Sequence, residues 1–286
     1  LQHDFLKCIN DDDEGMASMN RSILLAAAGL LFSLHTPITL AASVDEAQRA
    51  IAAGNYAKAL SELEQPVKNQ DPAALYLLGQ MYENGWGVAQ STEEARRYYE
   101  RGAQQGHLES LNSLRALKNQ EYKAEFDRLL PLARSGDGEA QNRIGEMYEF
   151  GQGVPRDYTK ALHWYHEAAE QNIVAAWYNL GRCYNFGSGV EQDYAQAEQW
   201  YRKAAERGHR DAMFFLGTLY SNNHGQDDTA DSDILAYAWM HNAAALGNST
   251  ARAIEVRLLM KLDETQLQQA KALAEQYKAR YVTPFE

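Results

Sequence analysis

Cysteine is almost missing from this chain: Cys8 and Cys183 are the only two among 286 residues. If the N-terminal leader is removed, Cys183 alone remains, and no intrachain disulfide can form. Basic residues are in deficit, 27 Lys and Arg against 39 Asp and Glu, a net charge of −12. That excludes the basic stripe that nucleic-acid binding needs. No run of basic residues marks a membrane-surface patch. The apolar stretch Ile23 to Leu34 has twelve residues, too few for a bilayer, which takes about 20. GxSxG, a phosphate-binding loop and HExxH are all absent from the sequence, so the common hydrolase and nucleotide signatures do not apply. No linker long enough to divide domains appears.

What the chain has is repetition. Glu139 to Asn172 and Ala175 to Gly208 are one unit written twice. Gly145 pairs with Gly181, Tyr148 with Tyr184, Asp157 with Asp193, and Trp164-Tyr165 with Trp200-Tyr201. A fixed period in this range is the mark of a solenoid. Each unit reads as two antiparallel helices. Trp177, Leu180, Gly181 and Tyr184 fall at i, i+3, i+4, i+7, one apolar face. Gly187 supplies a left-handed stop and Gly189 a second sharp turn. Asp193 is placed to cap the second helix, with Gln196 completing a capping box. Ala197, Trp200, Tyr201, Ala204 and Ala205 are its expected core. Glycine in a helix costs roughly 1 kcal/mol against alanine. Its return at Gly79, Gly145, Gly181 and Gly217 therefore predicts a bulky ring of the partner helix against each.

Leu180 to Ala205, LGRCYNFGSGVEQDYAQAEQWYRKAA, resembles the Sel1-like repeat, a relative of the tetratricopeptide repeat. The resemblance implies an all-α fold, an α-solenoid of antiparallel helix pairs, and a concave groove lined by the first helices. Cysteine-rich members of that family carry a cysteine pair per repeat, which this chain lacks.

The expected organisation runs as follows. Residues 1–18 are polar and precede Met19, where a signal peptide, 19–42, begins: Arg21, the apolar stretch, then small residues to Ala42. The solenoid spans 43–286. Full repeats cover 71–106, 139–172, 175–208 and 211–247, with degenerate hairpins at 44–70 and 107–136 and a cap at 250–281. Tyr56 precedes Gly79 as Tyr122 precedes Gly145, so a larger block is duplicated. The fourth repeat replaces its Gly-x-Gly-Val loop by Ser221 to Asp233.

Candidate chemistry is sparse. His163 and His166 stand at i, i+3, but Gln199 and Arg202 replace them in the next copy, which fits a solvent-facing pair better than a metal site. Asp227, Asp228, Asp231 and Asp233 lack EF-hand spacing and read as a solvated loop that caps a helix. Cys183 matches Met81, Met147 and Leu219, and so reads as a small core residue. No metal or cofactor is expected. Opposite the buried stripe lie three columns expected to be exposed: Tyr76, Asn142, Tyr178, Phe214; Gln80, Glu146, Arg182, Thr218; and Glu83, Glu149, Asn185, Ser221. The resemblance places them in the groove, where aromatics anchor partners; sideways packing onto the next repeat is the competing reading.

The expected function is a non-enzymatic scaffold, exported to the bacterial periplasm, that binds a protein or peptide partner and neither nucleic acid nor, once its signal is cleaved, the membrane. A periplasmic hydrolase of cell-wall material and a structural subunit of an envelope complex are the alternatives. The export reading predicts that the intact mass of the native protein matches a chain beginning near Ala42 or Ser43. A mature species that keeps Asp11 to Glu14 contradicts it.

Overall fold

The computed structural model describes residues 36–285. The segments read as a leader and a signal peptide lie outside the described residues as far as residue 35. Among the described residues there is no strand, and thirteen α-helices follow one another. An N-terminal hairpin, α1 (Thr36–Ala52) and α2 (Tyr56–Lys68), leads into the pair α3 (Pro72–Asn84) and α4 (Thr92–Gln104). A long helix, α5 (Leu108–Arg134), connects this pair to the rest. Three more pairs follow: α6 (Gly138–Phe150) with α7 (Tyr158–Glu170), α8 (Val174–Phe186) with α9 (Tyr194–Ala205), and α10 (Arg210–Ser221) with α11 (Ser232–Ala245). The chain closes with α12 (Ser249–Lys261) and α13 (Glu264–Tyr277). The first helix of each pair is called A, the second B.

Local chemistry marks the boundaries. Asp71, Asp137, Asp157 and Asp193 each cap a helix by accepting a backbone N–H three residues on. The reciprocal bond of a full capping box forms at Asp263 and Gln266, not at Asp193. At its other end α8 stops at Gly187, whose φ of 68° is left-handed and favours glycine. The second loop glycine serves close approach. A Cβ on Gly189 would lie 2.4 Å from the carbonyl oxygen of Tyr158, the first residue of the preceding B helix. Gly153 seats in the same way on Tyr122, and Gly87 on Tyr56.

A and B lock through the helical glycines. Tyr99 lies on Gly79, Tyr165 on Gly145 and Tyr201 on Gly181, all three rings fully buried. At Gly217 the partner is Met240 rather than a ring, because the longer loop of that repeat sets Trp239 and Met240 in the places of Trp and Tyr. Trp200, expected in the core, is only half-buried. The His166 ring meets it edge-on at 5.9 Å and the Lys203 ammonium lies 4.2 Å from its centroid. In the Trp-Tyr pair the tyrosine is the core residue. Cys183 is buried, and burial pushes its thiol up to about 12, so it is inert as a nucleophile.

The stretch 107–136, expected as a hairpin, is the single helix α5. Lys118, Asn119, Gln120 and Glu121 hold no glycine or proline to turn the chain, and all four are exposed. Pro131, in the last turn, does not end the helix. One consequence is visible in the packing. Leu63 of α2 is 1 % exposed beneath α1, whereas its counterpart Leu129 is half-buried and the nearby Leu132 is 44 % exposed, since nothing folds back over them. At the C-terminus α13 packs on α11 rather than α12. Trp239, fully buried, meets the tilted ring of Tyr277 at 4.4 Å between centroids, and Asn242 donates to the Ala274 carbonyl at 2.9 Å.

Gly181→Ala sets a Cβ 2.4 Å from Tyr201 Cδ1, in a ring with no room to move. Overpacking of about 1–3 kcal/mol outweighs the roughly 1 kcal/mol that alanine gains in a helix. At Gly217 the nearest atom is Cγ of the flexible Met240, at 2.8 Å, and the methyl can be accommodated. Urea unfolding should show a lowered midpoint for Gly181→Ala and little change for Gly217→Ala. The reverse order would refute the ring-on-glycine register.

Candidate partner-binding face

The A helices present a common face, and the three columns lie on it less exposed than expected. Asn142 and Glu149 are 5 % and 6 % exposed, and Tyr76, Tyr178 and Phe214 are half-buried. Their position follows from the spacing, but their exposure depends on what the next repeat brings against them. Tyr76 stacks near His107, at 5.4 Å between centroids, and Tyr178 on His209 at 4.5 Å. Each histidine caps the next A-like helix: Nδ1 of His107 accepts from the Ser110 N–H, and Nδ1 of His209 from the Ala212 N–H. In the repeat between them Asn142 replaces the tyrosine and Ile173, with no side-chain cap bond, replaces the histidine. The aromatic column is thus inter-repeat packing in large part. The signal was in the sequence, since tyrosine and histidine keep the same separation in both copies.

The polar columns are hydrogen-bonded to one another. Tyr99 donates to Glu83 and Tyr165 to Glu149, each at 2.6 Å. Arg182 donates to Glu149 at 2.7 Å, tying α8 to α6. Arg143 binds Glu125 through two nitrogens at 2.8 and 2.9 Å and Glu146 at 3.1 Å. Asn142 donates to Glu146 and accepts from Asn179, both at 3.0 Å. Gln80 donates to the Tyr76 hydroxyl at 2.8 Å. Arg182 is paired with Glu149 rather than with Glu146, the residue of its own column one repeat back. Asn185 stands where the earlier repeats have glutamate, half-buried above Tyr201.

Two residues outside the columns are exposed. Phe150 and Phe186, the last residues of α6 and α8, are 48 % and 59 % exposed. The Arg182 guanidinium lies 5.7 Å from the Phe150 ring and 5.9 Å from Tyr178. Phe186 meets Phe215 edge-on at 6.0 Å, and Phe215 stacks on Tyr201 at 5.2 Å. An aromatic surface with one guanidinium in it therefore crosses α6, α8 and α10. Neither phenylalanine falls in the three columns, because each is the last helical residue before the glycine that ends its helix.

A small open pocket, about 300 Å³, lies between α9 and the segment 222–231. Glu198, 5 % exposed, accepts there from the Tyr220 hydroxyl, from Arg202 at 2.8 Å and from the Gln226 N–H at 2.5 Å. Arg202 also donates to Asp227 at 3.0 Å. Asp231 caps α11 and Asp233 pairs with Lys261, so the acidic loop is structural as well as solvated. His163 is exposed and His166 half-buried. Among the described residues no three His, Cys, Asp or Glu side chains converge as metal ligands.

With this geometry in place, the comparisons with known proteins define a class. The Sel1 repeat model matches residues 72–107, 138–173, 174–209 and 210–248. The chain belongs to the Sel1 repeat family. Its four matches are the four A/B pairs. An uncharacterised protein of Neisseria meningitidis serogroup B is 30 % identical over 137 residues, 35 % of this chain and 29 % of its own. A protective antigen of uropathogenic Escherichia coli, with an SLR fold, is 25 % identical with a TM-score of 0.53, over 86 % of this chain and 58 % of its own. A Sel1 repeat protein from Oxalobacter formigenes is 25 % identical with a TM-score of 0.44, over 80 % of this chain and 96 % of its own. The chain thus spans well under two thirds of the meningococcal relative and of the antigen.

Burial holds the His209 imidazole below its ordinary value of 6.5, and its cap bond requires an unprotonated Nδ1. A group depressed in the fold contributes stability that is whole above its unfolded pKa and is lost as pH falls through the folded one. The melting temperature should therefore fall as pH drops through 6.5 and continue to fall below it. His209→Asn, which keeps a cap acceptor and removes the titration, should shrink that fall. An unchanged pH profile in the variant contradicts the role.

Proposed function

We propose that the chain is a non-enzymatic protein-interaction scaffold, exported to the bacterial envelope, that holds its partner on the A-helix face. The observation that carries this reading is the pair of exposed rings, Phe150 and Phe186, with Arg182 beside the first of them. The same positions are Asn84 and Asn222 in the first and last pairs, so helix structure alone does not call for phenylalanine there. Exposed aromatics that are already ordered give a partner large contact area at low entropy cost. Sel1 repeats commonly mediate protein–protein contacts, and in related repeats the A helices line the concave side. Among the described residues no helix is long and apolar enough to cross a membrane.

The export part rests on the Met19 to Ala42 pattern, and the description of the E. coli relative as a protective antigen accords with it. The site residues proposed are Tyr178, Arg182, Asn185 and Phe214 with Phe150 and Phe186 added; Tyr76, Gln80, Asn142, Glu146 and Glu149 support the face from beneath and along it. Hydrolysis finds less support. Glu198 and Asp227, the carboxylates of the open pocket, are bound to Arg202, and general-acid chemistry needs a carboxyl poised to hold a proton.

Phe150→Ser with Phe186→Ser should leave stability within about 0.5 kcal/mol, as exposed substitutions do, and should lower capture of the native partner from envelope extract at least about tenfold. His163→Ala with Gln199→Ala, exposed on the B helices, should leave capture unchanged. Loss of capture in the B-helix pair alone assigns the binding face to the other side.

A further inference from the structure

The carboxylate row on the A face stops after its second member: Asn185 and Ser221 stand in the third and fourth pairs. In the first two pairs the tyrosine under the row donates its hydroxyl to a glutamate, Tyr99 to Glu83 and Tyr165 to Glu149. In the third pair Asn185 replaces the glutamate; the buried Tyr201 hydroxyl has the Asn185 amide beside it and, among the described residues, makes no hydrogen bond of ordinary length. Buried polar groups are nearly always satisfied. Burial raises the Tyr201 phenol above its ordinary value, so at neutral pH the hydroxyl is a donor that lacks an acceptor. Arg182, one turn before Asn185, uses Nη2 for Glu149, and among the described residues its Nε and Nη1 make no hydrogen bond. The Asn185 amide offers two further N–H groups. Three donors therefore surround a place that holds a carboxylate in two other repeats. Tyr178 and Phe215 flank Tyr201 at 6.1 and 5.2 Å, and Phe186 rises beside them to the surface.

We propose that this gap receives a carboxylate carried by the peptide partner, which takes the place of the missing glutamate and accepts from Tyr201, Asn185 and Arg182. The ligand's neighbouring apolar side chain rests on Phe186. Asn185 covers the hydroxyl in the unbound chain and turns aside to admit the ligand, a rotamer change of the kind surface side chains make in picoseconds to nanoseconds. The carboxylate is that of an acidic side chain or of a chain terminus. The proposal rests on the A-face reading and narrows it to one chemical class of ligand.

Calorimetry or NMR titration of the full chain tests it with short synthetic peptides. One pair is acetyl-Gly-Phe-Glu-Gly-amide and its glutamine counterpart; the other is acetyl-Gly-Gly-Phe with a free or an amidated terminus. In at least one pair the acidic member should bind about tenfold more tightly than the neutral one, as charge-assisted bonds imply. Which pair shows the preference identifies the source of the carboxylate. Tyr201→Phe should weaken that binding without lowering the melting temperature. Asn185→Glu, which restores the chain's own carboxylate, should abolish it and keep or raise the melting temperature. Equal binding of acidic and neutral peptides, binding of neither, or undiminished binding by Asn185→Glu overturns the proposal. If capture of the native partner still depends on Phe150 and Phe186 in that case, the A face stands and only the carboxylate receptor fails. If capture ignores both phenylalanines, the face itself is misassigned.

Discussion

A tyrosine ring pressed against a helical glycine sets the geometry of this protein. The missing Cβ lets the B helix approach until the Tyr99, Tyr165 and Tyr201 rings lie within what would be side-chain distance of the A helix backbone. Helices that meet through small residues pack closely, and their ridges then have little freedom to slide. The hydroxyl at the far end of the ring reaches across the A helix to its outer face, where Glu83 and Glu149 receive it. One side chain thus fixes the spacing of the pair and holds a carboxylate in place along the A helix. The loop glycines extend the constraint, since Gly87, Gly153 and Gly189 each seat a loop on the preceding helix.

The A face inherits its chemistry from that frame. Its carboxylates are held by Arg143, Arg182 and the tyrosine hydroxyls, so an acidic chain presents a largely neutralised surface there. Its aromatics divide into two kinds. Tyr76 and Tyr178 are bound to histidines of the next repeat, and Phe150 and Phe186 project from helix ends. The stack is interrupted once, at α5, and covered at its end by α13 and the turn after it, whose Tyr277 and Tyr281 lie against Trp239. Repeat proteins draw their stability from such neighbour contacts rather than from one central core, and the clusters around Leu63, Tyr99, Ile144 and Tyr201 are accordingly separate or elongated.

The period of 36 residues made helix pairs, caps and core faces legible in the sequence, because each depends on local spacing. The glycine contacts were also legible, since a costly residue that recurs needs a partner. Three features were not. A fused α5 and a hairpin differ only at Lys118 to Glu121, residues that suit a helix and tolerate a turn. Trp200 and Tyr201 are adjacent, and periodicity does not say which ring turns inward. The exposure of Tyr178 depends on His209, so it follows from the offset between repeats rather than from the pattern within one. That the three columns share one helix face was legible in the sequence, and how deeply they are buried was not.

The central claim is that each tyrosine hydroxyl either anchors a carboxylate or waits for one. Equilibrium unfolding of Tyr165→Phe beside Tyr201→Phe measures this directly. Tyr165→Phe removes a buried hydrogen bond to a charged group and should cost about 1.5–3 kcal/mol. Tyr201→Phe removes a hydroxyl that, among the described residues, makes no ordinary hydrogen bond, and should cost little or stabilise slightly. Equal losses at the two positions would contradict the account, because they would mean that the Tyr201 hydroxyl is already satisfied within the chain.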